Sequence, residues 1–169
     1  MRLFGAMLIF IACSAAGALR AAALWKKVKT LSAVEGMLRI LSGEICGRLS
    51  DIKTALGVLK RSSPPETADF IGALCGRSGE IGEMPFSRLW SECAAQTLGV
   101  LGADELSELC ALGTVLGRYD APTQKAAMEN CAEYFRQAHA EALPRVSGSM
   151  KAAFGAGASL GLIIMITLI

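Results

Sequence analysis

Apolar positions fall into two uninterrupted runs at the ends of the chain and into helical stripes between them. The final run, 152–169 beyond Lys151, carries no charge and closes on Leu160-Gly-Leu-Ile-Ile-Met-Ile-Thr-Leu-Ile169. As a helix it rises about 27 Å, close to the hydrocarbon thickness of a bilayer. A small soluble domain has no centre large enough to bury such a helix on every side, so the pattern predicts a C-terminal transmembrane anchor. A second uncharged run, 3–19, predicts an N-terminal anchor over 1–20. Its cations, Arg20, Lys26, Lys27 and Lys29, follow the apolar run with no acid among them and resist translocation. That order favours an anchor over a cleaved signal peptide, or over a lipoprotein signal ending at Cys13.

Beyond this basic juncture, 21–31, the pattern changes to spacings of three and four. Ser32-Ala-Val-Glu35 has the form of a capping box and predicts a helix start. Val34, Met37, Leu38, Leu41, Ile45, Leu49, Ile52, Leu56 and Leu59 then make one apolar stripe of about seven turns. Ser62-Ser-Pro-Pro65 ends it, because tandem prolines remove amide donors and exclude helical geometry before them. A short helix over about 67–77 follows, with Phe70, Ile71 and Leu74 inward, and Gly76, Gly79 and Gly82 mark a loop. Pro85 opens a helix carrying Phe86, Leu89, Trp90 and Cys93. Asp104 is the expected cap of the next, which carries Leu106, Leu109, Cys110, Leu112 and Leu116 and ends at Gly117. Asp120 caps the last, with Pro122 in its first turn and Met128, Cys131, Phe135 and Leu143 inward. No alternating strand pattern is present. The expected fold is all-α: an antiparallel bundle of five or six helices over 32–145, held between two transmembrane helices.

Charge places that bundle. Arg145 and Lys151 flank the second anchor as the basic juncture flanks the first, so the positive-inside rule puts the middle in the cytoplasm. A formal net charge of only +2, with acids and bases nearly balanced through the middle, gives no footprint for nucleic acid. Six cysteines, Cys13, Cys46, Cys75, Cys93, Cys110 and Cys131, show no CxxC spacing, and those of the middle fall on apolar helix faces; they read as reduced thiols.

Catalytic chemistry has little to draw on. His139 is the one histidine and sits toward a polar helix end with no nucleophile placed beside it by spacing. No Cys/His metal cluster and no cofactor motif is expected. Gly155-Ala-Gly157-Ala-Ser-Leu-Gly161 looks superficially like a phosphate loop but has no strand before it. Gly157 and Gly161, one turn apart, are instead placed to let a second membrane helix approach closely.

The most informative stretch is Leu112-Gly113-Thr-Val-Leu116-Gly117-Arg-Tyr-Asp120-Ala-Pro-Thr-Gln124. Gly113 offers a flat helix surface, Gly117 takes a left-handed cap, Asp120 satisfies the next helix's amides, and Gln124 reaches back to the turn. With the two end runs and the long stripe, this arrangement resembles the stage III sporulation protein AB family over essentially the whole chain. The signature residues are Leu112, Gly113, Leu116, Gly117, Asp120 and Gln124, with Leu160-Gly161-Leu162 in the closing anchor. Two features depart from the family pattern: Arg118-Tyr119 stands where smaller residues are expected, and Pro144 is expected to interrupt the helix leading to the second anchor.

The resemblance implies a non-enzymatic platform subunit in the mother-cell membrane facing the forespore, within a secretion-like channel complex required for sporulation. It implies a soluble domain similar to the cytoplasmic domains of the type II secretion platform protein. The partners it implies are other channel proteins including a secretion-type ATPase; the two end runs add membrane lipid, and Gly157 and Gly161 leave room for a homo-oligomer. The competing expectation is a small membrane-anchored regulatory or ligand-binding helical protein outside any transport assembly.

Overall fold

The computed structural model describes residues 17–146 in full, and 2–16 and 147–168 by their backbone alone. Among the described residues there are six α-helices: α1 (Arg2–Ser42), α2 (Ile52–Ser62), α3 (Ala68–Gly76), α4 (Phe86–Thr97), α5 (Ala103–Val115) and α6 (Ala121–Leu168). Among the described residues there is no strand, only an isolated bridge between Ile81 and Met84. The fold is therefore all-helical, as the periodicity requires. Among the described residues no helix is long and apolar enough to cross a membrane. The anchors expected at 1–20 and 152–169, and with them Gly157 and Gly161, lie outside the fully described residues apart from 17–20.

The chain divides into two compact units, one made of Met1–Val28 with Ala140–Ile169, the other of Lys29–His139. In the second, the stripes meet as their spacing dictates. Leu31, Val34, Met37, Leu38 and Leu41 of α1 are closed to solvent, as are Leu56 and Leu59 of α2, and Phe70, Ile71 and Leu74 of α3. Leu89, Trp90 and Cys93 of α4, Leu109 and Leu112 of α5, and Met128, Cys131 and Phe135 of α6 complete the core. Each large side chain here contributes about 1.5–3 kcal/mol by leaving water. Consecutive helices α2 and α3, α3 and α4, and α4 and α5 pack on one another across their short connections.

Four expectations about the helices need correction. Ser32 does not cap a helix, because α1 is already helical from Arg2 onward and the Ser32–Glu35 pattern lies inside it. The long stripe is not one helix. After Ser42 the coil widens into a π-helical turn over Gly43–Gly47, closed by the Arg48 N–H donating to the Gly43 carbonyl at 3.1 Å, and the chain leaves helical geometry until Ile52. Leu49, placed in the core by its spacing, is 77% exposed. Asp104 lies in the first turn of α5, not at its cap; Gly102 holds that position, and the carboxylate instead complements the positive helix end.

α6 differs from expectation too. It runs through Pro144 without interruption. The ring removes one amide donor and crowds the carbonyl four residues back, a cost of about 3 kcal/mol that two long flanking helical stretches can carry. Leu143, expected inward, is 41% exposed, while Val146 is buried. The tandem prolines do act as expected: α2 ends at Ser62, and Pro65 starts a single 3-10 turn before α3.

Candidate functional site

The signature residues converge on the corner between α5 and α6. Gly113 faces the indole of Trp90 so closely that a Cβ there would lie 2.6 Å from its Cδ1, which no real methyl tolerates. The ring is fully buried, its Nε1–H donates to the Leu109 carbonyl at 2.7 Å, and Phe70 stacks edge-on at 4.9 Å. Leu112 and Leu116 are buried on either side of this contact. α5 stops at Val115, two residues before the expected end, and Leu116 is already extended; Gly117 takes φ +73° in the turn closed by the Arg118 N–H donating to the Val115 carbonyl at 3.2 Å, and a Cβ on it would also meet Ile52 Cδ1 at 2.8 Å. Asp120 precedes the first residue of α6. Gln124, 8% exposed, bridges the turn: its Oε1 accepts from the Gly117 N–H at 3.0 Å and its Nε2 donates to the Tyr119 carbonyl at 2.5 Å.

That bridge leaves Arg118, Tyr119 and Asp120 on the surface, with Tyr119 53% exposed. A second braced loop lies beside it. Glu44, 7% exposed, receives the Arg48 guanidinium at 2.8 Å and the Ser50 hydroxyl at 3.5 Å, while its carbonyl accepts from the Ser50 N–H at 3.0 Å. These bonds hold Leu49 at φ +55°, a left-handed conformation that costs a residue with a branched side chain about 1–2 kcal/mol. The two loops are joined at the contact of Gly117 with Ile52 and by the Cys46 thiol, which donates to the Ala121 carbonyl at 3.4 Å. One end of the helical unit thus presents Leu49 and Tyr119 to solvent, each held by a buried polar side chain.

Sequence spacing finds the Gln124 half of this end and misses the other. Ile45, Leu49 and Ile52 sit at intervals of four and three, so Leu49 continues the stripe as well as any core residue. The signals overlooked are Gly43 and Gly47, two poor helix formers bracketing Glu44.

The remaining polar groups serve the scaffold. Arg77 closes α3 and bonds both oxygens of Glu80, at 2.9 and 2.7 Å, as well as Glu92 at 3.0 Å. The two carboxyls are held below their ordinary range, Glu80 by Arg77 and Glu92 by Arg88 and then Arg77. Arg77 thereby fixes the 3-10 turn Ser78–Glu80 against α4. Glu133 is pulled down to about 2 by hydrogen bonds from Arg136 and then Gln137. An open groove of about 430 Å³ lies between α1 and α6, floored by Leu38, Met128 and Ala132. Its charged rim is already engaged, Arg39 by Glu35 at 2.8 Å and Glu133 by Arg136.

Cys46, Cys75, Cys93, Cys110 and Cys131 are all unpaired thiols. Burial raises those of Cys46 and Cys93 and pushes Cys131 up to about 12, which keeps them protonated and poor nucleophiles. Cys13 lies outside the fully described residues. His139 is half-buried, and among the described residues no group of His, Cys, Asp or Glu is arranged to hold a metal ion.

A family model described as stage III sporulation protein AB matches residues 2–169. The chain belongs to that family. Comparison with curated proteins and with solved structures finds no match. Membership in the stage III sporulation protein AB family makes this a stage III sporulation protein, and it gives the braced loops and the α5–α6 corner a biological setting.

Proposed function

We propose that this stage III sporulation protein is a non-enzymatic platform subunit of a secretion-like channel between mother cell and forespore. Helices over 1–20 and 152–169 anchor it in the mother-cell membrane facing the forespore. The helical unit stands in the cytoplasm and docks other channel components, a secretion-type ATPase among them. The observation that carries this reading is the end formed by loops 48–51 and 117–120. Two buried polar residues, Glu44 and Gln124, hold Leu49 and Tyr119 in water, although neither loop gains core burial from them. Apolar side chains on a preorganised loop lose little entropy on binding and act as anchors in a partner's pockets.

The groove between α1 and α6 is the feature on which a ligand-binding regulator would rest. It favours the platform reading instead, since its rim charges are satisfied by neighbours on their own helices and no buried polar group points into it for a ligand. The experiment is co-purification from detergent-solubilised membranes of sporulating cells. Leu49→Ser with Tyr119→Ser should reach the membrane at normal levels yet recover about tenfold less ATPase, as loss of interface anchors does. Undiminished recovery of every partner would overturn the assignment of this end as the docking surface.

A further inference from the structure

The described part of the unit made of the chain's two ends has a surface unlike the rest of the molecule. Across its full sequence that unit, Met1–Val28 with Ala140–Ile169, holds six Lys and Arg against the single acid Glu141, whereas Lys29–His139 holds eleven against fourteen. On α1 the inward face is set by Ala21 and Val28, both buried, with Leu24 half-buried between them. Exposed on this part of α1 are Leu19, at 73%, Arg20, Trp25, at 40%, and Lys26, with Ala18, Ala22 and Ala23 among them. On α6, Val146 is buried while Leu143 and Arg145 are exposed. Large apolar side chains and cations are therefore both exposed in the segments immediately inside the two expected anchors.

In water an exposed indole and leucines forgo the burial that their apolar surface could gain. At a membrane boundary they and the cations are both satisfied. A tryptophan places its ring at the head-group level and its N–H in the wet layer, and cations draw anionic head groups at about 1 kcal/mol each. We propose that the exposed side chains Leu19, Arg20, Trp25, Lys26, Leu143 and Arg145, ringing the two helices beside the expected anchors, bind anionic membrane lipid selectively. The inference rests on the membrane-anchored reading above and adds a lipid class to it. The charge excess selects negative head groups over zwitterionic ones, and Trp25 sets the depth.

Trp25 is itself the reporter, since the other indole, Trp90, is buried and bonded in the core. The intact chain is reconstituted in phosphatidylcholine vesicles containing, at equal mole fraction, either brominated phosphatidylglycerol or brominated phosphatidylcholine. Quenching of Trp25 is taken as the difference between the wild type and Trp25→Phe, and flotation reports whether protein stays with the vesicles. The anionic quencher should be about twofold or more the stronger. The preference should vanish in Arg20→Gln with Lys26→Gln and Arg145→Gln, and it should shrink in the unsubstituted protein at high salt. Protein that floats but is quenched equally by both lipids overturns the selectivity. Protein that floats with Trp25 unquenched by either shows the face covered by another copy and overturns the proposal while leaving the anchors standing. Protein that fails to float removes the membrane reading itself.

Discussion

The corner at Trp90 and the loop end at Leu49 treat apolar side chains in opposite ways. At the corner, Gly113 lets α5 close on the indole until no methyl fits between them, and Phe70, Phe86 and Leu109 fill the remaining sides. At the loop end, hydrogen bonds accepted by Glu44 and made by Gln124 hold the backbone so that Leu49 and Tyr119 remain exposed. Packing serves stability at the first site. At the second, polar bracing upholds a loop shape that leaves Leu49 and much of Tyr119 in water. Close packing and exposed, braced loops thus occupy separate places in the helical unit, and substitutions should separate them.

The largest effects belong to the corner. Trp90→Ala should cost about 3–5 kcal/mol in urea denaturation, from lost burial and the cavity left behind. Gly113→Ala should cost about 1–3 kcal/mol despite alanine's better helix propensity, because the indole must shift. A stabilised Gly113→Ala protein would mean the seam is loose and the contrast between the two ends is false.

Next come the braces. Gln124→Ala leaves the Gly117 N–H and the Tyr119 carbonyl without their bridge and should cost about 1–3 kcal/mol. Hydrogen exchange at Gly117 should rise with it, and unchanged protection there would show that the turn holds itself. The helical unit was largely readable from the sequence. The stripes on α2 to α5, the stop at Pro64-Pro65, the left-handed Gly117 and the return bond of Gln124 all follow from residue type and spacing. The break at 43–51 was not, because the apolar interval of four runs straight across it. Its signal is the pair of poor helix formers Gly43 and Gly47, and the bonds that Arg48 and Ser50 donate to the buried Glu44 carboxylate, which a periodicity count does not see, fix the loop that follows. The Ser32–Glu35 box misled for a related reason: a cap requires the residues before it to be non-helical, and α1 is already established there. Pro144 misled because long helices on both sides outweigh one lost bond.

Leu49 gives a smaller but sharper test. Leu49→Gly relieves the left-handed strain, so stability should stay level or rise by up to about 1 kcal/mol, while ATPase recovery falls. A destabilised Leu49→Gly protein would put Leu49 back in a core role.

The smallest expected effect is a pH dependence. Glu133 is lowered in the folded protein from 4.5 to about 2, so its pairing with Arg136 stabilises the fold above pH 4.5 and is lost as pH falls toward 2. Both partners are at the surface, so Glu133→Gln should flatten the acid limb of thermal stability only slightly. A change near neutral pH would contradict the assignment.

The central claim, that the loop end is where partners dock, is tested most directly by photocrosslinking in sporulating cells. A photoreactive residue replaces Leu49 or, as a control on the exposed surface of α3, Asp69. Crosslinking from position 49 to the secretion-type ATPase or another channel protein, with little from position 69, is the result this account predicts. Equal crosslinking from both positions, or adducts from position 69 alone, would contradict it.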